Sequence, residues 1–180
     1  MTPIHRVIYK KDKSIKPVWL MRQAGRYLPE FRKLRKLNPD FIGLCLNKKK
    51  VKDITLQPLK RFKLDAAIVF SDILMVPYGL NQSVNFKKNY GPILGDLEPN
   101  DLSKISHKNF TLKLNPVYES LKTLKKNKLL VNKDLIGFVG GPWTILVYML
   151  NKKSPKRNLN EFFKDKKIVK DLLEIITHFS

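Results

Sequence analysis

Cysteine is nearly absent: Cys45 is the single one in 180 residues. That excludes an intramolecular disulfide and a zinc cluster of thiolates, and it fits a reducing compartment. Long apolar runs are absent too. The most apolar stretch, Leu135 to Leu150, is interrupted by Gly137, Gly140, Gly141 and Pro142, and it falls short of the ~20 residues a membrane-spanning helix needs. The N-terminus carries no apolar signal core. There is no internal repeat and no low-complexity linker. These absences point to a soluble, cytoplasmic globular domain with no membrane partner. A chain of this length buries enough core to do without a disulfide or metal staple.

Acidic residues are also scarce. Asp and Glu number 15 against 36 Lys and Arg, a net charge of +21. Such a balance invites an anionic partner, nucleic acid among them. The composition offers another origin. There are 29 Lys, 13 Asn and 14 Ile, but 7 Arg and 3 Ala. Lys, Asn and Ile are residues of AT-rich codons, so much of the charge reads as genome bias on solvated faces. The lysine-rich runs at 48–50, 125–128 and 164–167 have no interleaved aromatic residues to stack on bases. No nucleic-acid partner is expected.

What is present is an alternation of short apolar runs with helical patterns. Pro17–Met21 reads as a first buried strand. Pro29 opens a short helix, and helical character resumes over Phe41–Leu46. Val51, Thr55, Leu59 and Phe62 recur at helical spacing, with Pro58 as a kink or break. Ala66–Phe70 is a continuous apolar run of the kind found in parallel strands covered on both faces. Ser83–Phe86 predicts a hairpin, and Asn115-Pro116 predicts a helix start. Leu135–Gly140 reads as a third buried strand, and Pro142 opens an apolar helix. A last amphipathic helix starts near Asn160 with Phe163, Ile168, Leu172, Ile175, Ile176 and Phe179 on its apolar side. This is the rhythm of an α/β protein with parallel strands: a doubly wound sheet or a (β/α)8 barrel. An eight-unit barrel takes ~250 residues, so a barrel here is incomplete. The final helix meets Ser180 without a stop signal, as if the fold continued.

Three segments carry chemistry. Met21–Glu30 follows the first predicted strand and holds Arg22, Gln23, Ala24, Gly25 and Arg26. Arginine forks grip carboxylates in bidentate fashion, Gly25 permits close backbone approach or a positive φ, and Gln23 adds neutral donors. A surface loop with two arginines is the plain alternative. Asp72 follows the second strand among apolar neighbours. There it is salt-bridged, helix-capping or functional. Gly137–Thr144 follows the third strand and leads a glycine-rich turn into a helix N-terminus, a natural anion site, though it fits neither GxGxxG nor a Walker A motif. Tyr148, farther along that helix, reads as a core aromatic. His5, His107 and His178 lack metal-ligand spacing, and His178 reads as solvated in a last helical turn. Cys45 reads as core. No GxSxG nucleophile elbow occurs.

Taken together, Pro17-Val18-Trp19-Leu20-Met21-Arg22-Gln23-Ala24-Gly25-Arg26-Tyr27-Leu28-Pro29-Glu30, then Thr55–Pro58 with Leu64–Leu74, then Ile136–Thr144 through Tyr148-Met149 resemble, in order and spacing, the N-terminal half of the uroporphyrinogen decarboxylase family. The resemblance implies a (β/α)8 TIM barrel, incomplete here over 1–180, acting as a homodimer without cofactor or metal. It implies decarboxylation of the four acetate side chains of uroporphyrinogen III to give coproporphyrinogen III. It places substrate binding at Arg22, Gln23, Ala24, Gly25 and Arg26, with Arg35, Phe138 and Tyr148 as further contacts. Asp72 corresponds to the family's essential aspartate, and Arg22 is one candidate proton donor. The family's C-terminal substrate-contacting Ser or Thr and its His have no counterpart in these residues. An inactive fragment, or a split-gene subunit that keeps only substrate or partner binding, is the alternative.

Overall fold

The computed structural model describes residues 1–87, 90–97, 102, 104–154 and 165–180. The chain divides into two compact units. The first comprises residues 1–39, 43–71 and 116–138; the second comprises 40–42, 72–115 and 139–180.

The first unit is organised around a parallel strand pair. β1 (Ala66–Ile68) lies beside the later strand Asp134–Ile136, with Ala66 opposite Asp134 and Ile68 opposite Ile136. Ahead of β1 come α1 (Pro3–Lys10), α2 (Pro29–Leu37), α3 (Phe41–Cys45) and α4 (Lys48–Arg61). Pro stands in the first turn of α1 and of α2, where its missing N–H costs nothing. Asn47 caps α4, its side chain accepting the Lys50 N–H at 3.1 Å. Pro58 does not break α4: it sits inside the helix one turn from the C-terminus, and its carbonyl accepts the Phe62 N–H at 2.9 Å. Val51 and Leu56 of α4 pack with Ala67, Val69, Leu124 and Leu130 into one apolar core. Cys45 is buried, as expected.

The expected first strand does not form. Residues 17–21 have no strand ladder, and Val18, Leu20 and Met21 are exposed. The segment touches β1 through few backbone groups: the Asp65 N–H reaches the Val18 carbonyl at 2.9 Å, and the Val18 N–H reaches the Asp65 carboxylate at 2.7 Å. Pro17 has no N–H to give, and the Leu20 N–H is taken by a side chain. The other two strands form but are shorter than their apolar runs.

In the second unit, α5 (Met75–Gly79) is followed by the expected hairpin, β2 (Val84–Lys87) and β3 (Gly91–Leu94), antiparallel with Val84 opposite Leu94. Gly91 takes φ +81 at the turn, a conformation that favours glycine. Buried Gln82 donates to the Gly95 carbonyl at 2.9 Å and the Met149 carbonyl at 3.0 Å, fastening the hairpin to α7 (Pro142–Asn151). The helix α6 (His107–Lys125) corrects a second expectation. It begins well before Asn115 and runs through Pro116. Pro116 has no N–H to give the Leu112 carbonyl, and Leu112 lies on an exposed turn open to water. Short 3-10 geometry at Lys128–Leu130 precedes β4 (Asp134–Ile136). α8 (Lys166–His178) is capped by Asp165, which accepts from the Lys167 and Ile168 N–H groups, and it buries Leu172 and Ile176. The expected start near Asn160 and the position of Phe163 lie outside the described residues. No described helix is long and apolar enough to cross a membrane.

Candidate functional site: an arginine loop at the strand ends

The parallel pair ends at a cleft of about 490 Å³ within the first unit. Its walls are the loop 21–27, the residues 68–71 that leave β1, and Phe138 beyond β4. Ligand sites of parallel α/β folds form at the carboxyl ends of strands, where side chains converge without interrupting the ladder. Arg22, Gln23, Ala24, Gly25, Arg26 and Phe138 are thus brought together. Phe138 is 46% exposed and adds an apolar surface to the lining of the cleft.

The loop is held by specific bonds. Gln23 is 1% exposed. Its Oε1 accepts the Leu20 N–H at 3.2 Å, and its Nε2 donates to the Ala66 carbonyl at 2.9 Å. The carboxamide of Gln23 thus turns inward and binds β1, its acceptor and one N–H taken by the backbone. The Gln23 carbonyl accepts the Tyr27 hydroxyl. The Gly25 carbonyl accepts the Leu28 N–H at 3.0 Å. Arg32 of α2 donates to the Arg26 and Tyr27 carbonyls at 2.9 and 3.1 Å. Sequence reasoning did not single out Arg32; its only signal is an arginine one turn into the helix that leaves the loop.

Gly25 does not take a positive φ, which settles one of its two expected roles. A Cβ built on it meets nothing within 4 Å, so its face is open toward any ligand. Gly140 differs. A Cβ there would lie 2.9 Å from both Ile145 Cγ1 and Ile73 Cβ, so packing alone requires glycine.

Other expected site residues fall elsewhere. Arg35 is on α2, is not among the residues lining the cleft, and donates to the Asn38 carbonyl. Asp72 and Tyr148 belong to the second unit. The Asp72 Oδ1 accepts the Leu74 N–H at 2.8 Å, closing a side-chain turn just ahead of α5, whose N-cap is Leu74. No cation among the described residues of that unit pairs with it. Burial pushes its carboxyl above the usual range, and the Leu74 hydrogen bond only partly opposes that. Tyr148 is half-buried on α7, whose neighbours Ile145, Leu146, Val147 and Met149 are buried. His178 is exposed in the last turn of α8, as expected. Its ring lies 4.5 Å from that of His107, beside a second cavity of about 330 Å³. No group of three or more His, Cys, Asp or Glu among the described residues could hold a metal ion.

The model of one protein family, uroporphyrinogen decarboxylase (URO-D), matches residues 1–180. The chain belongs to the uroporphyrinogen decarboxylase family. Curated relatives agree. The uroporphyrinogen decarboxylase of Rickettsia felis is 42% identical over 171 residues, covering 93% of this chain and 49% of that protein. That of Campylobacter jejuni is 47% identical over 152 residues, covering 82% and 44%. That of Rickettsia rickettsii is 43% identical over 164 residues, covering 89% and 47%. The chain therefore spans about half the length of the curated relatives it matches. The described residues show mixed α/β character and one parallel strand pair, and they close no barrel.

Proposed function

We propose that this chain contributes the anion-binding part of a site that decarboxylates the four acetate side chains of uroporphyrinogen III to methyls, giving coproporphyrinogen III. The observation that carries the reading is the cleft at the carboxyl end of the parallel pair, with Arg22 and Arg26 in one braced loop. A tetrapyrrole bearing eight carboxylates needs such forks to bind and to orient. Phe138 gives the macrocycle an apolar contact, and Arg35 and Tyr148 serve as further contacts in the complete fold.

Decarboxylation needs somewhere for an electron pair to go. Protonating a pyrrole carbon makes the ring cationic. The bond between the acetate methylene and its carboxylate then breaks, CO2 leaves, and the pair flows into the ring. A proton delivered to the methylene carbon completes the methyl, and loss of the ring proton restores the pyrrole. The substrate is its own electron sink, so this chemistry calls for no cofactor. Asp72 accepts hydrogen bonds from the pyrrole N–H groups and stabilises the cationic ring. Arg22 is a candidate proton donor, although guanidinium is a weak acid unless its site makes it a stronger one. The protein works in the cytoplasm and, in the complete fold, as a homodimer.

A second reading is favoured by the coverage of about half of each relative: the chain binds tetrapyrrole, or a partner, without turnover. Incubating the purified chain with uroporphyrinogen and separating the products by chromatography distinguishes the two. Coproporphyrinogen supports the enzyme. Saturable binding without product supports the second reading. Neither product nor binding overturns both. Where turnover is seen, Asp72→Asn abolishes it while sparing much of the binding; full activity in that variant removes the electrostatic role.

A further inference from the structure

The two arginines of the cleft loop sit on a segment with no strand or helix of its own. Nothing in residues 22–27 forms a ladder that would fix where the guanidinium groups point. Yet the loop is tied down at both ends by side chains. On one side the carboxamide of Gln23 takes the place of a strand rung: it accepts from the Leu20 backbone at 3.2 Å and donates to the Ala66 backbone at 2.9 Å. Leu20 and β1 are thereby joined through a side chain where the expected strand would have joined them directly. On the other side the Arg32 guanidinium spans the carbonyls of Arg26 and Tyr27.

We infer that Gln23 is the positioning residue of the arginine loop, with Arg32 as its second brace, and that both act on substrate only through Arg22 and Arg26. The inference rests on the proposed function for the ligand but not for the bracing. A buried carboxamide with its acceptor and one donor N–H already satisfied by backbone has little left for a ligand. Orientation is what it supplies. A misplacement of about 1 Å in a binding fork is enough to lose a large share of its effect.

The test uses residues 1–180 as they stand, with Gln23→Met, which keeps the volume and removes both hydrogen bonds, and Arg32→Gln, an exposed change that leaves the core alone. Hydrogen exchange over residues 20–28 reads the loop directly, and fluorescence titration with uroporphyrin, the stable oxidised octacarboxylate, reads the arginines. Faster exchange in both variants, with affinity weakened about tenfold or more, is the expected result. Arg26→Ala should then cost much less affinity in the Gln23→Met background than alone, a non-additivity that a general loss of stability does not produce. Should Gln23→Met not fold, Arg32→Gln carries the same readouts. Unchanged exchange, or unchanged affinity in a variant that binds, overturns the inference. If the unsubstituted chain does not bind uroporphyrin, the functional reading fails instead, and the exchange measurement still decides the bracing.

Discussion

Asp72 carries an energetic cost at neutral pH. Its carboxyl is raised by burial, with one backbone N–H in partial compensation. Below the ordinary value of 3.8 both folded and unfolded chains hold the proton, and stability is unaffected. As the pH climbs past that value the unfolded chain ionises freely while the folded site resists. Stability therefore falls up to the raised value and stays lower above it. Asp72→Asn keeps an oxygen for the Leu74 N–H and removes the charge. Its melting temperature should exceed that of the unsubstituted chain at neutral pH and match it in acid, measured by thermal melts at both. Two glycines make a complementary pair. Gly140→Ala should destabilise the fold by ~1–3 kcal/mol, because its methyl meets Ile145 and Ile73. Gly25→Ala should leave the melting temperature unchanged, since its Cβ points into open space, yet it should weaken uroporphyrin binding. The two arginines of the cleft were legible in the sequence because two guanidinium groups flank a glycine in one short loop. The inward turn of Gln23 was not, because its partner Ala66 lies far along the chain and no local pattern encodes it.

At the scale of elements, the sequence was most readable where a cap, a proline or a turn glycine states a boundary. The starts of α2 and α7 at Pro29 and Pro142 and the hairpin at Gly91 all follow from local chemistry. It was least readable where the same residue has two uses. Pro116 suggested a helix start because proline suits a first turn, but it is accommodated inside α6. Val18–Met21 suggested a strand because it is apolar, yet a strand exists only where a neighbour offers a ladder, and here Gln23 intercepts it. The cap on α4 is testable: Asn47→Ala removes the acceptor for the Lys50 N–H and should cost about 1 kcal/mol in chemical denaturation.

Across the described residues, some of the acids form surface pairs, such as Arg6–Asp12 at 2.5 Å and Arg61–Glu30 at 2.7 Å, each worth little. The positive surplus remains on the surface and should draw in a polyanion from a distance. Association of uroporphyrin should therefore slow steeply with added salt, as stopped-flow fluorescence would show. Val18, Leu20, Met21, Val139 and Trp143 are all exposed and apolar. Residues 1–180 on their own should bind a hydrophobic dye and self-associate in sedimentation; a dye-silent monomer would contradict this.

The pairing of Ala66 with Asp134 has a kinetic meaning as well. β1 leaves the ribosome long before β4, and at ~5–20 residues per second it spends seconds with no strand to join. During that interval α4 can lie against β1, but the register of the sheet is unset. The cleft that depends on both strand ends thus cannot form before β4 has emerged. Slowing or pausing synthesis between the two strands would prolong the interval in which the arginine loop has an incomplete scaffold.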